Sequence, residues 1–219
     1  MENKMENKME NKKNFFLQFA PQEAVKQEKN ASKNYTIPVK KQAYLLVSAP
    51  KKGVVNLSDI QQRPIVSANL LDSINKFEEQ NDVENLIGII PLSELLLEIA
   101  TIEEYTIKHN INFKEMISLA TDLIVNEKAL PKDKQMAYLL FCAPKGVENP
   151  DGKVLKREAI VCNDVKSSLE EFKAKTDKQV VGILSLGQIL TQISLLEFYA
   201  KQQGYDFSEL VEAASELVD

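Results

Sequence analysis

A nine-residue segment of this chain occurs twice, and this duplication constrains the fold more than any other feature of the sequence. Ala43–Lys51 reads AYLLVSAPK and Ala137–Lys145 reads AYLLFCAPK, so the copies differ only at their fifth and sixth positions. The copies begin 94 residues apart, and the same pattern follows each of them. Internal self-similarity of this kind indicates that one small domain is encoded twice.

Each copy is predicted to fold as an α+β domain in the order strand, strand, helix, strand, helix, helix. In the first copy, Tyr44–Val47 and Pro64–Ser67 are short apolar runs that indicate strands, and Leu86–Ile90 is a continuous apolar run typical of a buried strand. The first two strands are expected to form a hairpin-like pair. The second and third are joined through a helix, which favours a parallel crossover if they share a sheet.

Helix starts are predicted from capping residues. Asn69 precedes an apolar face that comprises Leu70, Leu71, Ile74 and Phe77. Pro91 is expected in the first turn of the second helix, and Asn112 with Glu115 is a capping pair for the third. In the second copy the predicted caps are Asn163 or Asp164, then Ser185 with Gln188, and then Asp206 with Glu209.

The predicted organisation is an arm, residues 1–34, followed by two α+β repeats over residues 35–130 and 131–219. The arm opens with three copies of the tetrapeptide MENK, a low-complexity composition that predicts disorder. Nine lysines and five glutamates give residues 1–42 a net charge of +4, and because the whole chain carries −5, the remainder carries −9. An acidic body argues against the folded part coating a nucleic-acid backbone.

Residues 14–20 form a short aromatic segment within the polar arm. The candidate partner-binding residues in it are Phe15, Phe16, Leu17 and Phe19. Apolar surface of this kind needs to be buried somewhere. The sequence leaves two explanations open: the segment packs on its own domain, or it docks in the groove of a partner.

The search for reactive groups yields no catalytic residues, no metal ligands and no cofactor motif. The two cysteines, Cys142 and Cys162, are too few for a disulfide framework or a closed zinc site, and we interpret both as small buried apolar residues. His109 is the only histidine, which excludes a two-histidine metal site, and its place near a helix end favours a surface position. A Cys–His nucleophile pair would require one of these cysteines to reach His109.

Five basic residues near the predicted first and second strands are candidate contacts for an anion or a nucleic acid. They are Lys51, Lys52, Arg63, Lys145 and Arg157. Lys51 and Lys145 occupy matching positions in a Pro-Lys turn, but these turns lack the glycine spacing and the helix start of a phosphate-binding loop. We therefore interpret them as turns with exposed lysines.

These observations favour a non-enzymatic interaction or assembly protein whose arm docks on a protein partner. The alternatives are a nucleic-acid accessory protein, and a small-ligand binder or enzyme with its site between the repeats. No apolar run approaches the ~18 residues of a membrane-spanning helix, and the N-terminus lacks the apolar stretch of a signal peptide. The expected location is the cytoplasm or a particle assembled there.

Overall fold

The structure of the protein is a computed structural model, and it describes residues 40–52, 59–147 and 154–218. These residues form an α+β fold with two three-stranded antiparallel sheets and six helices. The elements of the first sheet and its following helices are β1 (Gln42–Pro50), β2 (Gln61–Ser67), α1 (Leu70–Gln80), β3 (Glu84–Pro91), α2 (Leu92–Lys108) and α3 (Phe113–Val125). Those of the second are β4 (Met136–Pro144), β5 (Lys156–Cys162), α4 (Val165–Lys175), β6 (Lys178–Ser185), α5 (Leu186–Gln202) and α6 (Phe207–Ser215). The predicted class and element order are confirmed, whereas residues 1–34 lie outside the described part.

The two sheets have the same topology. The strand orders are β2-β1-β3 and β5-β4-β6, and every neighbouring pair is antiparallel. The predicted pairing of the first two strands is confirmed. The second and third strands share a sheet and run in the same direction, because each is antiparallel to the central strand that separates them.

The pairing of the central strand with the third strand is irregular at the same place in both sheets. The pairing of β1 with β3 shifts register between Val47 and Ser48, and the pairing of β4 with β6 shifts between Phe141 and Cys142. These are the two positions at which the nine-residue segments differ. The register skips Ile87 in β3 and Val181 in β6, so the extra residue of each bulge lies in the third strand. A bulge increases the local twist, so the two third strands are distorted at matching positions.

The helix α1 covers one face of the first sheet. Its Phe77 is buried in a cluster with Tyr44, Leu46, Leu86 and Ile89, against which Ile65, Leu70 and Ile74 also pack. Burying each large side chain contributes roughly 1.5–3 kcal/mol relative to exposure. Leu71 was predicted to belong to the same apolar face, but 54% of it is exposed and it is not part of this cluster.

The helices begin where the capping residues predict. The side chain of Asn69 accepts a hydrogen bond from the Asp72 amide, and that of Asp164, rather than Asn163, caps α4. Asn112 and Asp206 cap α3 and α6. A full capping box forms at α5, where the Ser185 amide donates to Gln188 Oε1 at 2.8 Å and the Gln188 amide donates to Ser185 Oγ at 3.1 Å.

The prediction that Pro91 lies in the first turn of the second helix is wrong. Pro91 is the last residue of β3, opposite Tyr44, and α2 begins at Leu92. Because β3 is an edge strand, a proline without an amide hydrogen is tolerated there.

The described residues group into two compact units. One contains the described residues up to Glu94 together with those from Leu195 onward, and the other is Leu95–Ser194. The unit boundaries therefore fall inside α2 and α5. The predicted division of the sequence into two repeats, with the boundary between residues 130 and 131, is a different division and stays a prediction.

Candidate functional site

A cluster of four polar side chains joins the three strands of the first sheet to the end of α1. We call Ser48, Arg63, Asn81 and Glu84 the first charged cluster. Glu84 Oε1 pairs with Arg63 Nη2 at 2.8 Å, and Glu84 Oε2 accepts from Ser48 Oγ at 2.7 Å. Arg63 Nη1 also donates to Asn81 Oδ1 at 3.2 Å. Both oxygens of the Glu84 carboxylate are therefore engaged.

Local packing fixes the position of these groups. The Arg63 guanidinium lies over the Phe77 ring, 5.6 Å from its centroid, and Asn81 Nδ2 donates to the Phe77 carbonyl at 2.6 Å. The Glu84 side chain is 11% exposed and that of Arg63 is 41% exposed. Separation of the two side chains would leave the largely buried Glu84 carboxylate without its partner, which is costly, and this favours the paired geometry.

A second charged pair occupies the corresponding end of the second sheet. Lys178 donates to Glu158, and both side chains are partly buried. Burial, together with the nearby Glu158 carboxylate and against the opposing effect of Lys178, raises the pKa of the Cys142 thiol to about 11. The hydrogen bond to Glu158 raises the pKa of Lys178, which therefore stays charged.

The strand registers show that the two ion pairs occupy equivalent positions with opposite polarity. Arg63 lies opposite Leu46, and Glu158 lies opposite Leu140, its counterpart 94 residues later. In the third strands, Glu84 lies opposite Pro50 and Lys178 opposite Pro144. The pair Arg63–Glu84 in one sheet is thus replaced by Glu158–Lys178 in the other.

Arg63 and Arg157 do not occupy matching sites. Arg157 lies opposite Phe141, one step away from the position of Arg63, because β5 is offset from β2 by 95 residues rather than 94. Its guanidinium lies 6.0 Å from the centroid of the Phe141 ring, and burial lowers its pKa. Arg63 is bound to Glu84 and Asn81, so neither arginine is a free surface cation.

The predicted lysines remain at the surface. Lys51, Lys52 and Lys145 are all exposed. The Lys51 amide donates to the Val83 carbonyl at 2.8 Å, and the Lys145 amide donates to the Asp177 carbonyl at 3.1 Å. These equivalent bonds fix the backbone of both lysines at the end of the central strand, as expected for turns that project a lysine. Lys51 Nζ also donates to the Asn81 carbonyl at 3.1 Å.

The cysteines and the histidine lie where the sequence predicts. Cys142 and Cys162 are both free and buried, and burial raises the pKa of each thiol, so both are held as neutral thiols near pH 7. His109 is exposed just after α2, and its ring stacks on Tyr105 with centroids 4.1 Å apart. Across the described ranges, no group of three His, Cys, Asp or Glu side chains could hold a metal ion.

Two polar side chains in the interior were missed by sequence analysis. Glu98 in α2 is 3% exposed and Gln192 in α5 is 7% exposed, and each has a buried side-chain oxygen without a hydrogen-bond partner. Burial raises the pKa of Glu98 to about 8. These residues are 94 apart, and that shared spacing at two apolar helix positions was the signal available in the sequence.

The aromatic segment of the arm falls outside the described residues, as does everything before residue 40. No helix in the described part of the chain is long and apolar enough to cross a membrane. No family model, curated protein or solved structure matches this chain.

In the first charged cluster both oxygens of the Glu84 carboxylate accept hydrogen bonds, and beside the second charged pair the Cys142 thiol is protonated near pH 7. The clusters themselves hold the strand ends in place.

Proposed function

We propose that this protein is a non-enzymatic interaction or assembly protein that docks on a protein partner through its N-terminal arm. The docking residues are Phe15, Phe16, Leu17 and Phe19. The observation that carries the proposal is this concentration of aromatic residues on an otherwise polar, basic segment. Aromatic side chains contribute much of the energy at protein interfaces, because they bury a large area with few rotatable bonds. The cytoplasm, as its place of action, belongs to the same proposal.

The contacts of residues 40–42, which follow the arm in the chain, support this assignment. Lys40, Lys41 and Gln42 are all held on the C-terminal part of the chain, with Lys40 Nζ 2.5 Å from Glu216 Oε1 and Gln42 Nε2 3.1 Å from the Ala213 carbonyl. These contacts fix the point at which the body continues into the preceding segment. A tether of this kind raises the effective concentration of a docking motif near a partner that also contacts the body.

The body itself is, in our proposal, a tandem duplication. Its support comes from the repeated nine-residue segment, the matching sheet orders and the bulges at matching positions. The reversed ion pairs also support a duplication. An attractive pair is kept when both of its charges are exchanged, whereas changing only one charge would leave two like charges together.

A capture experiment tests the docking proposal. Tagged full-length protein, a Phe15/Phe16/Phe19→Ala variant and a Gln18/Gln22→Ala control are incubated with lysate of the native host, and each captured protein is then purified and titrated against all three. We expect direct binding to the full-length protein and to the control, with at least a tenfold loss for the aromatic variant. Equal binding to all three would overturn the assignment.

Nucleic-acid association is the second candidate, and the exposed Lys51, Lys52 and Lys145 favour it. Binding of a labelled oligonucleotide by phosphate neutralisation falls steeply as salt rises. A Lys51/Lys52/Lys145→Ala variant should then bind more weakly and with a shallower salt dependence. Absence of binding at low salt removes this candidate.

A further inference from the structure

In each compact unit, one helix that packs on the central strand comes from the other half of the chain. We define the first half as the residues up to 130 and the second half as those from 131 onward. The unit that contains β1 also contains α6, which belongs to the second half and packs on β1. The unit that contains β4 also contains α3, which belongs to the first half and packs on β4.

The contact of α6 with the first sheet is specific. Besides the bonds of Lys40 and Gln42 to Glu216 and Ala213, Lys41 Nζ lies 4.4 Å from the centroid of the Tyr205 ring. Gln42, the first residue of β1, and the two residues before it therefore contact the segment that contains α6. The polar contacts fix the register of the helix along the strand.

The buried face of α6 consists of small and apolar side chains. Leu210, Ala213 and Ala214 are buried, and β1 is buried along almost its whole length. Alanines on a helix face allow its backbone to approach a strand closely. The interior of the first sheet is thus completed by side chains of the second half.

The second unit repeats this arrangement with the roles of the halves reversed. Met116 and Ala120 are the buried residues of α3, at positions 94 before Leu210 and Ala214. Ile124 of α3 also approaches Gly187 at the start of α5, where an added Cβ would lie 3.7 Å from Ile124 Cδ1. The first half therefore contributes to the packing around the second sheet.

We infer that the two halves are complementary binding partners, each of which supplies the helix that completes the sheet of the other. A half on its own would leave its central strand without this helix, and apolar surface exposed in this way favours association. The peptide link over residues 126–134 is then unnecessary for holding the halves together. This inference does not rest on the proposed function, because the arm lies outside both contacts.

Cleavage of the folded full-length protein tests the inference. A protease recognition site is inserted between Lys128 and Ala129, both exposed residues in the irregular segment after α3. After complete cleavage, the protein is examined by size-exclusion chromatography and native mass spectrometry at micromolar concentration. We expect both halves in one particle with the mass of the intact chain, which separates only in denaturant. Separate elution of the halves in native buffer, whether folded or not, would overturn the inference.

Substitutions on α6 locate the interface in the cleaved protein. Ala214 is fully buried and Ser215 is exposed. We expect Ala214→Glu to release the halves from each other after cleavage, because it places a carboxylate at a fully buried position of the helix that packs on β1, whereas Ser215→Glu leaves them associated. Equal behaviour of the two cleaved variants would argue that α6 is not the element that holds the halves together.

Discussion

At the scale of single residues, Glu98 makes the stability of the protein depend on pH. Burial raises the pKa of its carboxyl from 4.5 to about 8 in the folded state. Between these values the folded state keeps a proton that the unfolded state has released, so stability falls as pH rises through this window and levels off above it. Each pKa unit corresponds to about 1.4 kcal/mol, so the total change is several kcal/mol.

The first prediction is that Glu98→Gln removes this pH dependence. The chain already carries an uncharged residue, Gln192, at the position 94 residues later. We expect the free energy of unfolding of the variant, measured in urea from pH 5 to 9, to exceed that of the wild type increasingly as pH rises. Glu103→Gln, an exposed change in the same helix, is the control and should leave the pH profile unchanged. Parallel profiles for wild type and Glu98→Gln would contradict this account.

At the scale of secondary-structure elements, the ion pairs at the strand ends can be exchanged. The second prediction is that Arg63→Glu and Glu84→Lys each cost about 1–3 kcal/mol, since each leaves a charge-assisted hydrogen bond unmade in a partly buried site. The double variant copies the polarity of Glu158–Lys178 and should recover most of the loss. Urea unfolding of the four proteins measures this coupling as a double-mutant cycle.

An exposed pair provides the reference for that cycle. Glu104 and Lys108 pair one turn apart in α2, with side chains 66% and 68% exposed. Exposed pairs of this kind contribute little to stability because solvent screens them, so Glu104→Lys should cost far less than either change at the strand ends. Additive losses from Arg63→Glu and Glu84→Lys would show that the two side chains are not coupled.

The cap of α6 gives the third prediction. Asp206 accepts from the Ser208 amide at 2.8 Å, which satisfies one of the free amides of the first turn. Asp206→Ala should lower the free energy of unfolding by about 1 kcal/mol, whereas Asp206→Asn should keep most of it because asparagine caps equally well. Thermal or urea unfolding of the three proteins decides this; an Asn variant as unstable as the Ala variant would mean that the carboxylate charge, rather than the cap, is responsible.

The elements that depend on local pattern were predictable, and those that depend on tertiary partners were not. Asn69, Asn112 and Ser185 cap helices as their sequence context indicates, because a cap is decided within four residues. The reversed ion pairs were hidden by a one-residue shift of β5 relative to β2, which only the strand register reveals. Likewise, the amphipathic pattern of α6 marks a buried face without indicating which sheet covers it.

At the scale of the whole molecule, the arm and the body should be separable. The fourth prediction is that deletion of residues 1–34 leaves the melting temperature unchanged, because the described contacts of Lys40, Lys41 and Gln42 with the C-terminal segment are kept in the shortened chain. Differential scanning calorimetry of the full chain and of residues 35–219 provides the comparison. A substantial fall in melting temperature would show instead that the aromatic segment packs on the body of its own chain.

Peptide competition tests the central claim, that the aromatic segment is a docking motif, most directly. Partner protein captured on immobilised full-length chain is challenged with a peptide of residues 13–22 or with the same peptide carrying alanine for its three phenylalanines. We predict that the native peptide releases the partner in a concentration-dependent manner and that the alanine peptide does not. Retention of the partner in the presence of the native peptide, or equal release by both, would contradict the claim and assign the interaction to the folded body.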